Sequence, residues 1–278
     1  MYIMNFKTKD GLNLVARNWA IENPKAVVAI VHGLGEHSGR YEHWAAYFNQ
    51  ANYACISFDL RGHGKSEGSR GYTPSFATLW DDVDYFLAEV QTNYPALPIV
   101  LYGHSLGGCI CLSYLIERKP RLAAMVATST VIQLAVKPSP VLMFLGRLTN
   151  KIYPAFTQDS QLNTKHISRD PKEVAAYEND PLVHSKLSSA LGIGMLEQAA
   201  QLAQYQGHIN IPLLLTHGTA DQITSSEGTK TFYQNTTGNR TLKLWDNLFH
   251  ETQNEINKKE VFDYTVQWID AICLGTRQ

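Results

Sequence analysis

Gly103-His104-Ser105-Leu106-Gly107 joins a potential nucleophile to two flanking glycines and follows directly on the apolar run Ile99-Val100-Leu101-Tyr102. A serine in such a G-x-S-x-G turn, between a strand and a helix, is pushed clear of the sheet, where its hydroxyl can attack an acyl carbonyl. The glycines are needed because a β-carbon at either position would collide with neighbouring backbone. Gly108-Cys109-Ile110-Cys111-Leu112 is small at first and then apolar, as a helix packed closely under a sheet requires. The start of that helix aims free N–H groups at the serine. Chance alone produces the pentapeptide in a chain of this length with a probability of roughly 0.1, so its context and partners must carry the assignment.

A serine hydroxyl is a poor nucleophile until a base takes its proton, and that base needs an acid behind it to fix its tautomer. On a sheet of this kind the order is serine, acid, histidine, with the acid after a late strand and the histidine after the last one. Asp221 closes His217-Gly218-Thr219-Ala220-Asp221, just beyond the run Pro212 to Thr216, and His250 follows the run ending at Trp245 through Asp246-Asn247-Leu248-Phe249. These two fit the acid and the base, with Asp246 as the alternative acid. The other nine histidines, His32, His37, His43, His63, His104, His166, His184, His208 and His217, all lie before the last strand. Donors for the developing oxyanion are expected from the backbone N–H groups of Leu106 and of Leu34 in His32-Gly33-Leu34-Gly35.

Three other patterns fail. Gly62-His63-Gly64-Lys65-Ser66 resembles a phosphate loop but has Asp59 where the first glycine belongs; His250-Glu251 begins H-E-x-x-H but ends on Asn254; and no dinucleotide fingerprint follows the first parallel strand. His32, His37 and His43 lack a clear ligand set, so no metal is expected. No organic cofactor is required either.

The elements that must position these residues follow a regular rhythm. Ile3 to Lys9 and Leu12 to Trp19 flank the Asp10-Gly11 turn signal and predict an antiparallel hairpin. Continuous apolar runs at 26–31, 53–58, 99–102, 122–127, 211–216 and 241–245 predict strands covered on both faces. Helical patterns alternate with them, most clearly Phe76, Leu79, Trp80, Val83, Phe86, Leu87 and Val90, with Asp81, Asp82 and Asp84 elsewhere on the wheel; Val261, Thr265, Trp268, Ile269 and Ile272 give a last helix. The result is an α/β architecture around a mostly parallel, doubly wound sheet. From 131 to 208 no strand is read, and helix-like stretches at 141–148 and 188–205 mark an inserted helical lid that divides the core into 1–130 and 209–278. The apolar surface of Val141 to Leu145 either rests on the core or meets a lipid tail, and it is a candidate for transient membrane contact.

With 278 residues and 44% hydrophobic content the chain can bury a large core. A net charge of -1 provides no basic field for nucleic acid. Cys55, Cys109, Cys111 and Cys273 fall inside predicted elements without C-x-x-C spacing, which suits a reducing, cytoplasmic compartment. The N-terminus lacks a charged-then-apolar leader, and no run approaches the ~18 apolar residues of a membrane span.

His32-Gly33-Leu34-Gly35-Glu36-His37-Ser38-Gly39-Arg40-Tyr41, Asp59-Leu60-Arg61-Gly62-His63-Gly64-Lys65-Ser66-Glu67-Gly68, the serine pentapeptide, His217 to Asp221 and His250-Glu251 together resemble the monoacylglycerol lipase and lysophospholipase branch of the α/β-hydrolases. The resemblance covers nearly the whole chain. It implies the α/β-hydrolase fold with an eight-stranded sheet, a Ser105, Asp221, His250 triad, a mobile lid and an apolar tunnel for one acyl chain. The implied substrate is a small lipid ester, a monoacylglycerol or lysophospholipid. Glu36, Arg40 and Tyr177 match positions that line the polar end of the site in relatives, so a substrate-binding role is implied for them. Asp246-Asn247 departs from the Glu-Gly often found before the histidine loop.

Overall fold

The structure is a computed structural model that describes residues 1–275. It opens on β1 (Tyr2–Lys7) and β2 (Asn13–Trp19), an antiparallel hairpin. Its turn places Gly11 at φ +86°, a left-handed conformation that glycine adopts without steric cost. Then β3 (Ala26–Val31), α1 (Glu42–Gln50), β4 (Tyr53–Phe58), α2 (Phe76–Asn93), β5 (Ile99–His104), α3 (Leu106–Arg118) and β6 (Ala124–Thr128) alternate. The middle section holds α4 (Pro140–Ile152), β7 (Thr157–Asp159), α5 (Pro171–Asn179), β8 (Lys186–Ser188) and α6 (Ser189–Gln204). The chain closes with β9 (His208–Gly218), α7 (Ser226–Asn235), β10 (Thr237–Trp245) and α8 (Lys258–Gly275).

Eight strands form one sheet in the order β1-β2-β4-β3-β5-β6-β9-β10, antiparallel through β1, β2 and β4 and parallel from β4 onward. Every residue of β3, β4, β5 and β6 is buried, which explains their unbroken apolar character. Because successive side chains leave a strand on opposite faces, β3 serves two cores. Val27, Ala29 and Val31 pack with α2, α3, α6 and α7, while Ala26, Val28 and Ile30 pack with α1 and α8 around Trp44, Phe48 and Phe262. All four cysteines are buried.

The section between β6 and β9 differs from the sequence expectation in two ways. β7 and β8 pair antiparallel as a second, two-stranded sheet, each too short for any periodicity to announce it. More consequentially, α6 sends Leu191, Met195, Ala199 and Leu202 into the same core as α2 and α3. By contrast α4 buries none of its residues, and it packs chiefly on α6. The stretch around α5 is fastened to the core at several points: His184 N to Gly35 O at 2.9 Å, Glu251 N to Ile167 O at 2.7 Å, and Arg169 Nε to Glu255 Oε2 at 2.9 Å.

Asp82 also departs from expectation, since it is fully buried on the inner face of α2. Arg61 reaches it from the loop after β4, with Nε to Oδ2 at 2.6 Å and Nη2 to Oδ1 at 2.7 Å, and meets the half-exposed Asp10 on its other edge. A buried guanidinium robbed of its partner is strongly destabilising, whereas an exposed pair contributes little. Asp82→Ala is therefore expected to lower stability by about 3 kcal/mol, and Asp10→Asn by less than about 1 kcal/mol, both read by urea denaturation. Equal effects would show that the Asp82 pair does not hold this loop.

Candidate active site

Ser105 occupies the single-residue step between β5 and α3 with φ 55° and ψ -116°, a strained conformation for a residue with a side chain. The neighbours impose it. Ser105 N donates to Thr128 O at 3.0 Å, and Ser105 O accepts from Cys109 N at 3.0 Å and Val131 N at 3.3 Å. A β-carbon on Gly107 would strike the carbonyl oxygens of Val31 and His32, and one on Gly103 would strike the backbone of Gly107. The two glycines thus let α3 start hard against β3 and β5.

His250 Nε2 lies 2.8 Å from Ser105 Oγ, and its Nδ1 lies 2.7 Å from Asp221 Oδ2. Asp221 follows β9 and His250 follows β10, so three parallel strand ends bring the three residues together. Asp221 Oδ1 accepts from Ile223 N at 2.7 Å and Thr224 N at 3.0 Å. The other acid near the histidine, Asp246, is exposed. Burial works to raise the Asp221 pKa, but the His250 charge and hydrogen bonds from His217 and His250 hold it well below the carboxylate range. Burial works to lower that of His250, and the Asp221 charge outweighs it, so the imidazole is more basic than usual. His104, whose ring centroid is 4.9 Å away, is pushed down to about 4 by burial and by His250.

Leu106 directly follows the serine, and Leu34 follows Gly33. Gly33 abuts Ser105 so closely that an added β-carbon would sit 3.2 Å from Ser105 Cβ. Among the described residues, neither the Leu34 nor the Leu106 amide has a hydrogen-bond partner. Two unpaired N–H groups flanking a buried serine are suited to receive a developing oxyanion.

Glu36, Arg40 and Tyr177 also gather here, but their polar groups face one another. Glu36 Oε1 accepts from Gly33 N at 2.6 Å and from Tyr41 Oη at 2.9 Å, while Oε2 accepts from Arg40 Nη1 at 2.8 Å. Arg40 then forks onto Glu251 at 2.7 and 2.8 Å, and its guanidinium lies 4.6 Å from the centroid of the Tyr177 ring. Burial pushes both carboxyls up, yet the shared Arg40 charge brings each below its ordinary range. Glu251 was missed by sequence reasoning: it adjoins the histidine, but nothing in its spacing announces Arg40. Glu36 and Arg40 form a buried pair, and Glu36 also holds the Gly33 amide. The histidines weighed as metal ligands are separately engaged, His32 with Leu60 N, His37 with Asp180 and His43 with Gln253 O.

A family profile described as serine aminopeptidase, S33, matches residues 22–257. The chain is 37% identical over 271 residues to an uncharacterized abhydrolase domain-containing protein of Dictyostelium discoideum; the match spans 96% of this chain and 29% of that much longer protein. It is 30% identical over 268 residues to a monoacylglycerol lipase of Mycolicibacterium smegmatis, covering 95% of each. Among solved structures, a monoacylglycerol lipase of Paleococcus ferrophilus superposes with a TM-score of 0.85 at 30% identity, over 92% of this chain and 98% of that one.

Proposed function

Because the chain belongs to the serine aminopeptidase, S33, family of α/β-hydrolases, we propose that it is a serine esterase cleaving monoacylglycerols to fatty acid and glycerol. The observation that carries this reading is the continuous hydrogen-bonded line from Ser105 Oγ through His250 to Asp221, at 2.8 and 2.7 Å. His250 Nε2 takes the hydroxyl proton as Ser105 Oγ attacks the ester carbonyl, and the Leu34 and Leu106 amides receive the oxyanion. Collapse of the tetrahedral adduct breaks the ester bond, and the imidazolium returns its proton to the departing glycerol oxygen. Water, deprotonated by the same imidazole, then attacks the acyl-serine and releases the fatty acid.

The names of the lipase relatives favour an ester over the peptide in the family description, and so does the charge pattern. A peptide's free amino group needs an unpaired carboxylate, whereas Glu36 and Glu251 are already shared by Arg40. The outer face of α4 suits a lipid substrate. Val141, Leu142, Phe144, Leu145, Leu148 and Ile152 are 44–74% exposed there, and among the described residues no helix is long and apolar enough to cross a membrane. In this reading α4 is the lid, and it rests briefly on a lipid surface while substrate enters.

Ser105→Ala is expected to cut monooleoylglycerol hydrolysis by about a millionfold while the thermal midpoint stays nearly unchanged; retained turnover would overturn the assignment. Preference for lysophosphatidylcholine over monooleoylglycerol in kcat/KM would move the substrate to lysophospholipids. Since His250 must be unprotonated to act as base and its pKa is raised, kcat/KM should fall as pH drops through a midpoint above the ordinary 6.5. Asp221→Asn should lower kcat about ten-thousandfold and move that midpoint down; an unmoved midpoint would exclude Asp221 as the acid. Phe144→Asp should weaken co-sedimentation with neutral phosphatidylcholine vesicles, and identical behaviour of the two proteins would remove membrane contact from the reading.

A further inference from the structure

Asp221 is held by more than the histidine that the proposed reaction uses. His217, two residues before the loop's first bend and fully buried, places Nε2 3.0 Å from Asp221 Oδ2, the same oxygen that faces His250 Nδ1. Its other nitrogen, Nδ1, lies 2.8 Å from Thr229 Oγ1 on α7. We propose that His217 is a positioning residue for the acid: a second imidazole that donates Nε2–H to Asp221 Oδ2 and fixes the direction in which that oxygen meets His250.

The count of donors supports this. A carboxylate offers about four lone-pair sites. Oδ1 is occupied by the Ile223 and Thr224 amides, which leaves two sites on Oδ2. His250 takes one. The other falls to His217 or to the Thr224 hydroxyl, which is 2.7 Å away but carries a single hydrogen. That hydroxyl has a second acceptor, Ser129 O at 3.1 Å, while His217 Nε2 faces Thr224 Oγ1 at 3.1 Å as well as Asp221 Oδ2 at 3.0 Å, the carboxylate being the charged and stronger acceptor. Assigning the Thr224 hydrogen to Ser129 and the His217 hydrogen to Asp221 gives each of these two buried donors its own acceptor. Thr229 then donates to Nδ1 and locks the tautomer.

The placement also explains why the acid and base loops stay in register. His217 is paired with Leu244 across β9 and β10, and a β-carbon on the next residue, Gly218, would strike the carbonyl oxygens of Leu248 and Phe249 in the loop that delivers His250. Without the His217 donor, Asp221 Oδ2 keeps only the Thr224 hydroxyl and His250 about it, and the direction it presents to His250 is less fixed. Substrate contacts are untouched, so the effect belongs to kcat and not to KM.

The inference rests on the Ser105, His250, Asp221 relay, and its test separates the two. Nitrogen-15 NMR of histidine-labelled wild-type protein should show His217 protonated at Nε2 and bare at Nδ1; a ring protonated at Nδ1 alone overturns the proposal whatever the substrate is. His217→Leu should lower kcat for p-nitrophenyl butyrate, and the rate of fluorophosphonate labelling of Ser105, by roughly tenfold to a hundredfold with KM unchanged. His217→Gln, which keeps an N–H donor, should recover most of that loss. A purely structural role would reduce the folded fraction while leaving kcat per labelled site at the wild-type value, and that outcome overturns the proposal. Should His217→Leu fail to fold, the wild-type tautomer and the comparison of His217→Gln with His217→Met decide in the same way. If Ser105→Ala stayed active, the relay would fall while the tautomer result stood.

Discussion

A carboxylate with no exposed side-chain surface is tolerated only if donors replace the water it has lost, and Asp221 is such a carboxylate. Its four partners come from the end of β9, the loop after it, and the loop after β10. Satisfying one charge therefore pulls together segments that no local interaction would join. The energetic demand of Asp221 is met only when β9 and β10 run in register and the His250 loop folds back over Gly218. The sheet and the proposed relay are in this sense one problem: the parallel strand ends supply the geometry, and the buried charge makes any other geometry costly.

A second buried charge cluster acts on the same histidine. Glu36, Arg40 and Glu251 carry one more negative than positive charge, and all three are nearly excluded from solvent. Their surplus lies on the side of His104 and His250, where it favours a positive imidazole. The same carboxylate that contributes to that field also fixes the Gly33 amide. The peptide that follows is the one whose N–H is left unpaired. Electrostatics and backbone orientation thus both draw on a single side chain, Glu36.

The residues at the ends of β5, β9 and β10 were legible in the sequence because each is a reactive side chain placed just after an apolar run, and a parallel sheet sends such positions to one edge. The doubly wound order was legible for the same reason: strands covered on both faces cannot alternate. What escaped notice depended on distant partners. Asp82 read as a surface acid because its companion, Arg61, lies on another element; Glu251 carried no signal because Arg40 is 211 positions away. The place of α6 was equally hidden, since an amphipathic helix after a long strandless stretch looks alike in either layer. Only its contacts with α2 and α3 distinguish the two.

The unequal fastening of the section between β6 and β9 has a mechanical consequence. Pulling on α4 strains little beyond α6, whereas moving α5 would break the bonds that hold Gly35, His37 and the backbone of Glu251. Thermal excursions of the outermost helix are therefore insulated from the two orphan amides and from the imidazole. The molecule can loosen its apolar rim without detuning its chemistry, so softness and accuracy reside in different parts of the same short stretch of chain.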